Sequence, residues 1–180
     1  MDYVIEGCRI FLGLVFLCSA ISKLRSPAAF RSFRRAVGRL APPLRRRTGP
    51  VAVLLVMAEA AVITALAIPA TIPAGFALAL ALLVAFTTGL VGVLRRKVSA
   101  PCHCFGGRGA PVAPRHVVRN AVLIAVALTG LGVWPAVPDE TGSPAGLLLA
   151  AGVAALLAMI TVTLDDLAGL FAPPDAGATR

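Results

Sequence analysis

Five apolar stretches, each long enough to cross the hydrocarbon core of a bilayer, constrain this chain more than any other feature. Crossing takes about 20 residues, with a range of roughly 17 to 25. The stretches run from Val4 to Leu24, Val51 to Ile68, Ala74 to Leu94, Val117 to Val137 and Ala145 to Leu164. Composition agrees: 58% of the residues are hydrophobic, 14% are charged, and the mean hydropathy of +0.90 is far above that of a soluble domain of this length. The expected fold is all-α, a polytopic transmembrane helix bundle. It divides into a core over residues 1–137 and an additional helix with a short tail over 138–180.

Punctuation and charge organise these spans. Pro69 to Pro73 leaves room only for an antiparallel hairpin between the second and third, and Gly142-Ser143-Pro144 marks the entry to the fifth. Lys23, Arg25, Arg31, Arg34, Arg35, Arg39, Arg45, Arg46 and Arg47 crowd the first connection, and Arg95, Arg96, Lys97, Arg108, Arg115 and Arg119 surround the third. The second and fourth connections carry no Lys or Arg. By the positive-inside rule the first and third connections are cytoplasmic, with the N-terminus outside and the C-terminus inside a bacterial inner membrane; Arg9 alone among the basic residues departs from this. No cleavable signal peptide is expected, because no positive region precedes the first apolar run.

A net charge of +9 on a soluble chain would raise nucleic acid as a partner. Here aromatic content is low and the arginines sit between spans, which points to membrane lipid and not to a nucleic-acid groove. Between Arg25 and Arg47, Phe30, Phe33, Val37 and Leu40 recur at near-helical spacing with arginines between them. That pattern predicts an amphipathic helix on the inner membrane surface, with a disordered basic tether as the alternative.

The third connection holds the chemistry-bearing motif, Pro101-Cys102-His103-Cys104-Phe105-Gly106-Gly107. Cysteines two apart close into a disulfide only under strain, and strained bridges are the labile, oxidising ones, so the pair suits exchange better than stapling. A redox-silent polar turn is the plain alternative. Cys102, His103 and Cys104 also raise zinc or cuprous copper, though a closed zinc site takes four ligands with wider cysteine spacing. Four cysteines are too few and too dispersed for a disulfide scaffold. Cys8 and Cys18 lie about 15 Å apart along one helix and cannot bond to each other, which favours packing over a thiol relay.

Glu59 sits near the middle of the second span. A carboxylate there costs on the order of 2.5 to 3.5 kcal/mol on insertion scales, so it should face the bundle interior, paired or protonated. Arg9 on the first helix points toward the same depth, with Glu6 one turn away competing for it. Arg119 and Asn120 open the fourth span. A guanidinium there would raise the thiolate fraction of a nearby cysteine, against the alternative that it snorkels to headgroups. Asn120 lies inside the apolar boundary and needs an interhelical partner. Thr87, Thr88, Gly89, Gly92, Gly146 and Gly152 read as close-packing positions.

Taken together, Arg9, Lys23-Leu24, Pro27 to Phe30, Glu59, Arg95 ahead of Pro101 to Gly106, and Arg119-Asn120 resemble the MauE family of methylamine-utilisation membrane proteins, within the wider DoxX-like group. The likeness covers roughly residues 5 to 130, and its most specific element is the Cys-x-Cys-Phe-Gly turn followed by Arg-Asn. His103 and the long, very basic first connection depart from the pattern. The resemblance implies a role in maturing or exporting a disulfide-rich extracytoplasmic subunit, in the named case the small subunit of methylamine dehydrogenase, alongside a thioredoxin-like partner. It implies no settled reaction. No cofactor is evident, and a quinone and a metal stay open. The leading expectation is a membrane thiol-disulfide protein in which Cys102 and Cys104 are the redox pair, supported by Arg119 and Glu59. The alternatives are a non-catalytic membrane assembly or export factor and a Cys/His metal-binding membrane protein.

Overall fold

The computed structural model describes residues 2–40, 46–96, 114–134 and 143–170, and among them every regular element is helical. The helices are α1 (Asp2–Leu24), α2 (Pro27–Leu40), α3 (Thr48–Ala67), α4 (Ile72–Arg95), α5 (Pro114–Val133) and α6 (Pro144–Leu170), with a 3₁₀ turn at Pro69–Thr71 between α3 and α4. All but α2 are long and apolar enough to span a bilayer. The expected multi-pass all-α bundle is therefore what the chain forms. Several boundaries move by a few residues: α3 starts at Thr48, Ile72 extends α4, Pro114, which needs no N–H partner in a first turn, starts α5 early, and α6 runs on to Leu170.

The first span, α1, is the centre of the bundle. It packs against α6, α3 and α5, while α4 packs against α5 and α3. Some 39% of its span is buried against 11% for α6, so α6 leans on α1 as an outer helix and gives most of its surface to lipid. The core runs through Leu12, Val15 and Phe16 of α1, Val62 and Leu66 of α3, Phe76, Ala79 and Leu83 of α4, and Leu123 and Ala127 of α5. Without a hydrophobic drive between helices in lipid, close approach matters most. A Cβ on Gly130 would collide with the fully buried Phe76 ring, so that glycine lets α5 approach α4 closely there.

The basic segment forms the amphipathic helix expected of it, and its apolar face meets the bundle. Ser26 caps α2 through its Oγ, which accepts from the Ala29 N–H at 3.1 Å, and Pro27 occupies the first turn. Its apolar stripe, Phe33, Ala36 and Val37, is buried, with Phe33 and Val37 in one cluster with Ala52 and Val56 of α3. Arg31, Arg34, Arg35 and Arg39 face outward. Because the bundle has already taken the apolar face, α2 covers one end of the helices instead of lying in lipid by that face.

Candidate functional site

Beneath α2 lies a charged cluster built from four helices. Glu59 of α3 pairs with Lys23 of α1, and the two are among the most buried polar residues, 1% and 2% exposed. Glu59 Oε1 accepts from Lys23 Nζ and, at 3.2 Å, from Ser19 Oγ, while Lys23 also donates to Ser19 Oγ at 2.9 Å. The remaining face of the ammonium meets aromatic π clouds, 4.7 Å from the Phe33 centroid and 5.4 Å from that of Phe86. Lys23 thus has a carboxylate, a hydroxyl and two rings, which compensates the desolvation of an ammonium held at this position.

The α5 side completes the cluster. Asn120 finds the interhelical partner its position demands, donating from Nδ2 to Thr87 Oγ1 of α4 at 3.3 Å. Arg119, with its Nε buried, and Asn120 wall a small cavity of about 30 Å³ together with Ser19, Lys23, Glu59, Phe86 and Leu123. Arg119 therefore turns part of its length toward the bundle interior, beside the ion pair. His116, one turn earlier on α5, is also buried.

Arg9 does not approach Glu59. It pairs with Glu6 at 2.9 Å and donates to the carbonyls of Leu66 and Ala67, the last turn of α3. That is the place where a helix leaves carbonyls without intrahelical donors. The arginine is thus a C-cap for its neighbour at the opposite end of the bundle from Lys23.

Cys8 and Cys18 are free thiols, half-buried and exposed respectively. Cys8 borders a separate, almost wholly apolar groove of about 740 Å³ between α1, α5 and α6. Cys102, His103 and Cys104 lie outside the described residues. The described part of the chain has no cluster of three or more His, Cys, Asp or Glu able to hold a metal. The connection bearing the cysteines leaves from the C-terminus of α4 and rejoins at Pro114, the end of the bundle where the Lys23–Glu59 cluster lies. Sequence reading singled out Glu59, Arg119 and Asn120, placed Lys23 only among the topology charges and the family likeness and Phe33 only on the amphipathic stripe, and missed Ser19 and Phe86. Lys23 carried a signal, since it falls within the last turn of the first apolar run, but that position reads equally as a topology charge.

A bundle of this kind, with five candidate spans and a buried Lys–Glu pair under an arginine-rich cover helix, defines a small polytopic membrane protein. The family model described as methylamine utilisation protein MauE matches residues 1–134, and the chain belongs to that family. A curated relative, the methylamine utilization protein MauE of Paracoccus denitrificans, is 39% identical over 180 aligned residues, covering 98% of this chain and 93% of its own length. That likeness continues beyond residue 134 into the last helix. No solved structure matches.

Proposed function

We propose that this chain is a thiol-disulfide exchange protein of the bacterial inner membrane that serves methylamine utilisation by supporting the maturation of an extracytoplasmic, disulfide-containing protein. The observation that carries the reading is the Cys102-His103-Cys104 motif, set in the connection that rejoins the bundle at Pro114, within two turns of Arg119-Asn120 on α5. Family membership and the relative's printed name support the methylamine context. The basic α2 and the arginines at the ends of α4 and α5 support a cytoplasmic location for this end of the bundle.

In the exchange, the thiolate of one cysteine attacks a sulfur of the partner's disulfide. A mixed disulfide forms, and the partner's other sulfur leaves as a thiolate and takes a proton. The second cysteine then attacks the mixed bridge, releasing the partner as a dithiol and leaving Cys102 and Cys104 as a disulfide, so that two electrons have passed to the partner. A thioredoxin-like reductant restores the pair. In a reducing compartment the pair rests as dithiol, which favours export of reducing equivalents over oxidation. Cys8 packs against the core and Cys18 faces outward; the partner that takes the electrons is a second, membrane-crossing protein, which passes them to the maturing extracytoplasmic protein.

Cys102→Ser and Cys104→Ser should each abolish maturation of the extracytoplasmic protein, and one of them should accumulate a mixed disulfide with the electron-carrying partner, visible on a non-reducing gel. Full maturation in both variants would replace this reading with a non-catalytic assembly factor. Stoichiometric zinc or copper in the purified protein, lost on His103→Ala, would replace it with metal binding.

A further inference from the structure

The Glu59 carboxylate is satisfied on one side only. Oε1 takes Ser19 and Lys23, whereas Oε2 is buried and has no hydrogen-bond partner among the described residues. An unsatisfied buried polar group costs roughly 1–3 kcal/mol, and more when it is charged. The cavity of about 30 Å³ walled by Glu59 offers the means of satisfaction. A water needs about 10–15 Å³ of such volume and two to four polar neighbours. The cavity meets both conditions, with Ser19, Lys23, Glu59, Arg119 and Asn120 on its wall among apolar residues.

We propose that this cavity is a water-binding site, in which an ordered water donates to Glu59 Oε2 and is held from α5 by Asn120 and Arg119. Charge reaches the site from two helices besides α3, Lys23 on α1 and Arg119 on α5. The wall from α4 is uncharged, formed by Leu83 and Phe86. The water joins Glu59 of α3 to α5 beside the Lys23–Glu59 pair. It also gives an ion pair otherwise closed to solvent a protic neighbour on the helix that follows the cysteine-bearing connection. The site is independent of the thiol reading and can fail or stand apart from it.

Hydroxyl-radical footprinting by X-ray pulses, on the full chain in lipid nanodiscs, tests the site, because ordered internal waters generate radicals beside side chains that bulk solvent does not reach. Phe16 walls the cavity and is 4% exposed, while Phe76, 0% exposed, lies in the apolar core and shares its intrinsic reactivity. Phe16 should oxidise several-fold faster than Phe76, and Asn120→Leu should bring it down to the Phe76 rate. Equal rates for Phe16 and Phe76 in the unaltered protein mean a dry cavity and overturn the proposal, whether or not the variant folds. A fast Phe16 that stays fast in well-folded Asn120→Leu overturns the assignment of Asn120 as a holder.

Discussion

Two ion pairs anchor α1 at its opposite ends, and they are built from similar parts under opposite conditions. Lys23–Glu59 joins α1 to α3 with both side chains almost entirely buried; Arg9–Glu6 stays within α1, 21% and 30% exposed, and reaches α3 only through backbone carbonyls. Desolvation is the larger quantity for the first, so its hydroxyl and aromatic neighbours are needed to hold the charges there. For the second, partial solvation keeps both the cost and the Coulomb gain small, and its structural value lies in capping the last turn of α3. An ion pair is therefore not one kind of interaction in this bundle. The buried pair specifies which helix faces meet, and the half-buried one ends a helix.

Breaking the buried pair from one side should give the largest effect. Lys23→Met leaves Glu59 without its cation and should destabilise the protein by about 3–5 kcal/mol, read as a fall in the thermal unfolding midpoint in detergent micelles. Adding Glu59→Leu to Lys23→Met should recover most of the loss, since replacing a whole buried pair by apolar residues is often neutral or stabilising. A double variant as unstable as Lys23→Met alone would mean that the two residues are not coupled. At the other end, Arg9→Met should cost about 1–3 kcal/mol, because it strips donors from two carbonyls at the end of α3. A loss matching that of Lys23→Met would erase the distinction between the pairs.

The same contrast explains what the sequence disclosed. Glu59 was legible because a carboxylate in mid-span is expensive wherever its partner lies. Lys23 was not, because a lysine in the last turn of a span snorkels to headgroups by default, and only the three-dimensional approach of α2 and α3 turns this one inward. Spans and hairpin were legible from apolar length and proline placement alone. The burial of α2 was hidden for a related reason: an amphipathic stripe states that a face will be covered, without saying whether lipid or protein covers it. Phe33 therefore read as a membrane contact when it packs on α3 and stacks over the Lys23 ammonium. Asn120 could be assigned a need for a partner but not Thr87, since side-chain pairing across helices depends on rotational setting that periodicity leaves free.

Two smaller perturbations sharpen the comparison. Phe33→Leu keeps an apolar side chain against α3 but removes one π face from Lys23. It should cost about 0.5–2 kcal/mol by the same thermal measurement, with the effect vanishing in the Lys23→Met background. An equal effect in both backgrounds would assign Phe33 to packing alone.

The smallest change is expected from Glu6→Gln. Gln keeps the length and an acceptor oxygen for Arg9, so only the charge of the pair is lost. Arg9 retains its bonds to Leu66 and Ala67, and the α3 terminus stays capped. A partly solvated pair of this kind contributes about 1 kcal/mol or less and is weakened further by salt, so the midpoint should shift little at low ionic strength and less still as salt is raised. A large, salt-insensitive loss in Glu6→Gln would show that Arg9 depends on its carboxylate for position. The cap and the pair would then be one unit, as tightly bound up with α3 as Lys23 is with Glu59.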